Sequence, residues 1–196
     1  MARRILVVQG HPRPDSYGTA LGAAYADGAR DAGADVRSLR VPDLVFDPVL
    51  HNAYREPQAL EPDLEAAQAD IVWSEHLVFV YPVWWGMPPA LVKGFIDRVF
   101  HPGFGFKFQE GKAFPERLLK GRSARVIATM DSPPWYFRLV IGAPGHGMMR
   151  RSLLQFCGIK PVRISSIGSV RFASARKRER WLHQMRDLGR REARQR

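Results

Sequence analysis

Two periodicities alternate along the chain. Residues 4–9 (Arg-Ile-Leu-Val-Val-Gln) and 76–81 (His-Leu-Val-Phe-Val-Tyr) are apolar at nearly every position. Such runs suit strands buried on both faces, as in a parallel sheet covered by helices. Residues 34–41 alternate as a second strand, and residues 125–129 and 160–167 supply a fourth and a fifth. Between them, small and apolar residues recur at helical spacing. In residues 16–32 these are Ala20, Leu21, Ala24, Tyr25 and Gly28, with Ser16 as the N-cap. Helices are also predicted over 63–74, 90–100, 148–156 and 175–190. Five strands alternating with helices predict an α/β doubly wound parallel sheet. Right-handed crossovers leave few topologies, and the order 2-1-3-4-5 is the natural one.

In such a sheet a ligand sits at the carboxyl ends of the strands, near the switch point between strands 1 and 3. Three loops meet there, at 10–16, 82–88 and 129–146. Two further connections, 42–62 and 101–121, are long and irregular, as functional loops or contact surfaces are.

The first loop is Gly10-His11-Pro12-Arg13-Pro14-Asp15-Ser16, which joins a strand to a helix N-terminus. Free N–H groups and the helix dipole make that an anion site, and His11, Arg13 and Ser16 add donors beside Tyr17. It is neither a dinucleotide fingerprint nor a triphosphate loop. The second loop, Pro82-Val83-Trp84-Trp85-Gly86-Met87, carries two adjacent tryptophans that are expensive to expose. A planar ligand, or packing against a helix or second subunit, accounts for them. The third, Thr129-Met130-Asp131-Ser132-Pro133-Pro134-Trp135-Tyr136, adds aromatic walls, or is a proline-stiffened surface loop.

Composition narrows the picture. The one cysteine, Cys157, cannot form an internal bridge and lies in an apolar run, so it reads as a small buried hydrophobe. No His/Cys/carboxylate cluster has zinc-like spacing, so no metal is expected. The net charge is +11, and residues 171–196 hold ten Arg and Lys against three acids. That segment has little aromatic interleaving, which favours a solvated helix face over nucleic-acid binding. The apolar run after Arg4 is too short for a signal peptide and no stretch approaches a membrane span, so a cytoplasmic protein is expected.

Residues 81–100, Tyr-Pro-Val-Trp-Trp-Gly-Met-Pro-Pro-Ala-Leu-Val-Lys-Gly-Phe-Ile-Asp-Arg-Val-Phe, resemble the signature stretch of the flavodoxin-like NAD(P)H:quinone oxidoreductases, the DT-diaphorase-like family. The opening strand with His11 and Ser16, then Phe46-Asp47-Pro48, Gly103-Phe104-Gly105-Phe106 and Leu154-Gln155-Phe156-Cys157-Gly158 agree in order. The resemblance covers roughly residues 3–168 and implies a single flavodoxin-like flavin-binding domain over 1–196. His11, Arg13, Ser16 and Tyr17 would hold the flavin phosphate and ribityl groups. Pro82, Val83, Trp84, Trp85 and Gly86 would meet the ring and its polar edge, and Thr129, Met130 and Asp131 would form a second flavin loop. Phe106, Phe108 and Trp135 would line the substrate side, in part from a neighbouring subunit. Tyr136 and His146 would assist catalysis near the flavin carbonyl. Two departures stand out: the Thr129-Met130-Asp131-Ser132 turn is bulkier than the family's glycine turn, and the spacing from Tyr136 to His146 is longer.

The activity so implied is hydride transfer from NADPH or NADH through bound flavin, FMN before FAD, to a quinone or similar flat acceptor. A homodimer is expected to cover the aromatics. The alternative is a flavodoxin-like electron carrier, or a regulatory subunit of another protein such as a potassium-efflux system. Flavodoxins are usually acidic, which the basic composition does not match.

Overall fold

The computed structural model describes residues 2–53, 55–56 and 58–195. Five parallel strands form the sheet: β1 (Arg4–Gln9), β2 (Asp35–Arg40), β3 (His76–Pro82), β6 (Ser123–Thr129) and β7 (Val162–Ile167), in the order β2-β1-β3-β6-β7. Counted within this sheet, that is the predicted 2-1-3-4-5. The extra numbers come from a small hairpin, β4 (Phe106–Lys107) with β5 (Glu116–Arg117), inside the connection expected to be irregular.

The continuously apolar strands serve two cores at once. Ile5 and Val7 of β1, with Val78 and Val80 of β3, face α1 (Tyr17–Asp31) and α6 (Ala175–Ala193). Leu6 and Val8, with Leu77 and Phe79, face α2 (Pro62–Trp73) and α3 (Ala90–Val99). Alternate side chains of a strand leave on opposite faces, so a covered sheet needs no polar position. The segment 131–146 is more ordered than a loop. It contains α4 (Pro134–Leu139) and α5 (Pro144–Gly147), and α5 runs on into a π-helical stretch, Met148–Gln155. No helix among the described residues is long and apolar enough to cross a membrane.

Helix α6 is more than a solvated basic face. Its Met185 and Leu188 are buried against α1, and so is Glu192 near its end. Glu192 accepts from Arg125 Nε and Nη2 (2.8 and 2.7 Å) and from the Tyr25 hydroxyl (2.8 Å). On the other face Arg98 of α3 is buried, donating to the Asp47 and Ala59 carbonyls and to Glu61. It thereby pins the long 42–62 connection to α3.

Candidate functional site

The adjacency of β1, β3 and β6 places their carboxyl ends side by side. The Gly10 N–H donates to the Val80 carbonyl (2.8 Å), and the Val83 N–H to the Thr129 carbonyl (2.7 Å). Gly10 must be glycine, because a Cβ there would collide with Val92 of α3. The three predicted loops therefore start from one edge, and two of them touch: the His11 and Trp84 rings meet edge-on at 6.2 Å. Thr129 reaches the start of α1, its hydroxyl lying 3.8 Å from where a Cβ on Gly18 would stand.

Ser16 is buried and caps α1. Its Oγ accepts from the Thr19 N–H (3.0 Å) and shares a hydrogen bond with the Thr19 hydroxyl (2.9 Å). The next two amides, Tyr17 and Gly18, have no acceptor among the described residues. They are the unsatisfied donors that helix N-termini present to anions. His11 Nδ1 accepts from the Arg13 N–H (3.0 Å), which leaves the ring proton on Nε2. Burial, then the neighbouring Arg13, lowers the His11 pKa, so the ring is a neutral donor at pH 7. Replacing Ser16 with alanine is expected to cost about 1 kcal/mol of stability through the lost cap. Urea unfolding checks it, and an unchanged midpoint would show the cap to be dispensable.

The Arg13 guanidinium lies 3.2 Å from the Asp15 carboxylate. The Tyr17 side chain turns away from the strand ends. Its hydroxyl donates to the Arg178 carbonyl (2.7 Å) and its ring lies 6.3 Å from Trp181 of α6. What Tyr17 offers the crevice is its backbone N–H.

The second loop is a tight reversed turn. The Trp84 and Met87 backbones exchange two hydrogen bonds (2.9 and 3.0 Å), with Trp85 at φ +52° and Gly86 at φ +80°. Those are the angles of a type I′ turn, which normally takes Asn or Gly at both central positions. A tryptophan in the left-handed region costs on the order of 1–2 kcal/mol. The Trp85 side chain is nevertheless fully exposed and Trp84 half-exposed, so packing within the chain does not offset that cost. The Trp85 and Gly86 amides have no acceptor among the described residues. The turn is braced from behind, where the Gly145 N–H donates to the Gly86 carbonyl (2.9 Å). A Cβ on Gly145 would fall 2.6 Å from that same carbonyl.

The remaining predicted residues are more scattered. Thr129 and Met130 are buried, and Met130 exchanges backbone bonds with Ile167 and Val170. The Asp131 carboxylate accepts from the Arg171 N–H (3.1 Å). Trp135 and Tyr136 lie edge to face at 5.9 Å on α4, both exposed. His146 packs edge-on against Phe137 (5.0 Å), with Nε2 2.8 Å from the Ser166 hydroxyl and Nδ1 buried without a partner among the described residues. Burial first, then Arg150 and Arg138, lowers its pKa. Tyr136 and His146 share neither a hydrogen bond nor a ring contact. Phe106 packs on Phe156 (4.9 Å) and Phe108 (5.3 Å), away from the first two loops. The brace from Ala143 to Gly145 was missed by the sequence reading, although the glycines of Gly142-Ala143-Pro144-Gly145-His146-Gly147 signal it.

Residues 3–188 match the model of the Flavodoxin_2 family, described as a flavodoxin-like fold. The chain belongs to that family. It is 25% identical over 170 residues to an uncharacterized NAD(P)H oxidoreductase of Haemophilus influenzae, covering 84% of this chain and 83% of that one. It is likewise 25% identical over 187 residues to the Mus musculus ribosyldihydronicotinamide dehydrogenase [quinone], covering 81% and 78%. The crystal structure of an FMN-dependent NADH-azoreductase from Bacillus anthracis, in complex with FMN, shares the flavodoxin-like fold. It superposes with a TM-score of 0.73 at 16% identity, covering 97% of this chain and 99% of that one.

Proposed function

We propose that this flavodoxin-like chain, acting as one flavin-binding domain, is a flavin-dependent NAD(P)H oxidoreductase that reduces a quinone or another flat acceptor. The observation that carries the proposal is a juxtaposition. Unpaired amides at the start of α1 stand at the same strand edge as a strained turn that exposes two indoles. An anion cradle beside an aromatic wall fits a phosphate-bearing planar group such as FMN, with FAD the second choice. The relatives' names support the nicotinamide donor and the acceptor class.

When bound, the flavin supplies hydride acceptance and donation. The chain supplies placement. The Tyr17 and Gly18 amides receive the phosphate, where the helix dipole adds to the hydrogen bonds. His11 Nε2–H is a neutral donor at the same edge. Trp84 offers an aromatic face, and the Trp85 and Gly86 amides are free to bond a polar ring edge. The brace from Gly145 holds that turn, so the amides are oriented before the ligand arrives. We assign His146, held by Ser166, to the polar rim of the site. Phe106 and Phe108 would reach the crevice from a second copy, in a homodimer that would also cover Trp85 and Val140.

The test is direct. Purified protein given FMN should retain it and turn yellow, and NADPH or NADH should bleach the colour without oxygen. Menadione should then be reduced in turnover. A protein that holds no flavin and oxidises neither nicotinamide with menadione present would overturn the proposal.

A further inference from the structure

We infer that a recess on the outer side of β7, between α4 and the π-helical stretch, binds the phosphorylated adenosine end of NADPH and thereby selects NADPH over NADH. This rests on the donor role proposed above and adds a specificity site to it.

The recess has a volume of about 640 Å³, and its lining includes Trp135, Arg138, Leu139, His146, Arg150 and Arg151. That volume falls within the range of small-molecule sites. None of the three arginines has an acidic partner among the described residues, and no acidic side chain lines the recess. Elsewhere the buried arginines are paired, Arg98 with Glu61 and Arg125 with Glu192. Three exposed guanidiniums around one concavity give it a positive potential that draws an anion. Their planar forks match a phosphate dianion. His146 adds a ring held neutral at this rim, its pKa lowered by burial and by Arg150 and Arg138.

Charge alone would fit any anion. Two features narrow the class. Exposed Trp135 and Leu139 put an aromatic face and an apolar surface beside the guanidiniums, which suits a base attached to a phosphate. The recess also adjoins the proposed flavin turn: Ala143 lines it, and two residues on, the Gly145 N–H bonds the Gly86 carbonyl. A dinucleotide whose nicotinamide lies over that turn can lay its other end along this wall. NADPH differs from NADH by the phosphate on the adenosine 2′ oxygen, which is the group three unpaired arginines discriminate.

The experiment titrates the full chain by calorimetry with adenosine 2′,5′-bisphosphate, adenosine 5′-monophosphate and inorganic phosphate. The bisphosphate is expected to bind at least roughly tenfold more tightly than either of the others, the gain of one charge-assisted contact. The triple replacement Arg138→Ala, Arg150→Ala, Arg151→Ala should abolish that preference. It should also bring the KM for NADPH up toward that for NADH. Arg176→Ala, on α6 outside the recess, should keep bisphosphate binding. Equal affinity for the three ligands, or a triple variant that binds the bisphosphate like the parent, would overturn the inference. Because the titration needs neither flavin nor turnover, it decides the recess separately from the proposed activity.

Discussion

Replacing Glu192 with alanine is expected to lower the free energy of unfolding by about 3–5 kcal/mol, because it leaves buried charge without a partner. The carboxylate is 1% exposed and sits under the amino ends of the strands. Arg125 of β6 donates two hydrogen bonds to it, and the hydroxyl of buried Tyr25 donates a third. His76, the first residue of β3, presents Nε2 at 3.3 Å, outside hydrogen-bond geometry, while its Nδ1 is 2.8 Å from the Ser123 hydroxyl. Removing the carboxylate leaves the buried Arg125 guanidinium with the Ser165 hydroxyl (2.8 Å) but no counter-charge. For a domain of this size the midpoint of thermal unfolding should fall by roughly 6–20 °C. A fall below about 2 °C would show that α6 is held by its apolar contacts alone.

The same cluster gives stability a direction with pH. Burial pushes the Glu192 pKa up, but the hydrogen bonds and charge of Arg125 outweigh it and hold the carboxyl below its usual value. A group depressed in the folded state stabilises above its unfolded pKa and loses that contribution as pH falls. Burial also lowers the pKa of His76. The unfolded chain therefore takes up a proton near pH 6.5 that the folded chain refuses. Both effects act in one sense. Stability should decline on acidification, first as the unfolded histidine titrates and then as the unfolded carboxylate does. In Glu192→Gln the later part of the decline should be smaller. Chemical denaturation at several pH values reads it directly.

Much of this fold was legible because its strands are buried on both faces. Residues 4–9 and 76–81 have no polar alternation to misread, and the order of strands followed from the alternation with helices. The loops of the candidate site were legible for the same reason, since they lie where such strands end. What those loops do with their side chains was not. Tyr17 follows the cap and looks like a ligand residue, yet its hydroxyl finds the Arg178 carbonyl in a helix 161 residues away. Asp131 reads as part of a second flavin loop, and its carboxylate accepts from the Arg171 N–H. Local spacing says nothing about partners so distant in the chain. Glu192 is the plainest case: among ten basic residues it reads as one more surface charge, and only the packing of α6 on α1 buries it.

The second large effect is expected at Gly28, where α1 and α6 cross. A Cβ at Gly28 would run into the Arg186 backbone, lying 2.6 Å from its carbonyl carbon and 2.8 Å from its Cα. Across the crossing, a Cβ at Gly189 would meet the Tyr25 carbonyl and stand 2.9 Å from the Ala29 nitrogen. Both helices thus approach through glycine, and neither obstacle is a side chain that can rotate aside. On an exposed helix Gly→Ala stabilises by about 1 kcal/mol. At this crossing the clash should reverse the sign and cost about 1–3 kcal/mol, because one helix must shift bodily. Gly18→Ala is the internal control, since a methyl there meets nothing closer than 3.7 Å. Its stability should hold or rise, while the Gly28→Ala midpoint falls by roughly 2–12 °C. The shift also tests how fold and site are joined. The amides of Tyr17 and Gly18 lie at the far end of α1, about 16 Å along the helix from Gly28. If a rigid α1 carries them, Gly28→Ala should weaken FMN retention as well as stability, though it touches no part of the crevice. Full flavin affinity in a destabilised variant would mean that the cradle is held by its own loop, through Gly10 and the Ser16 cap, and not by the helix behind it.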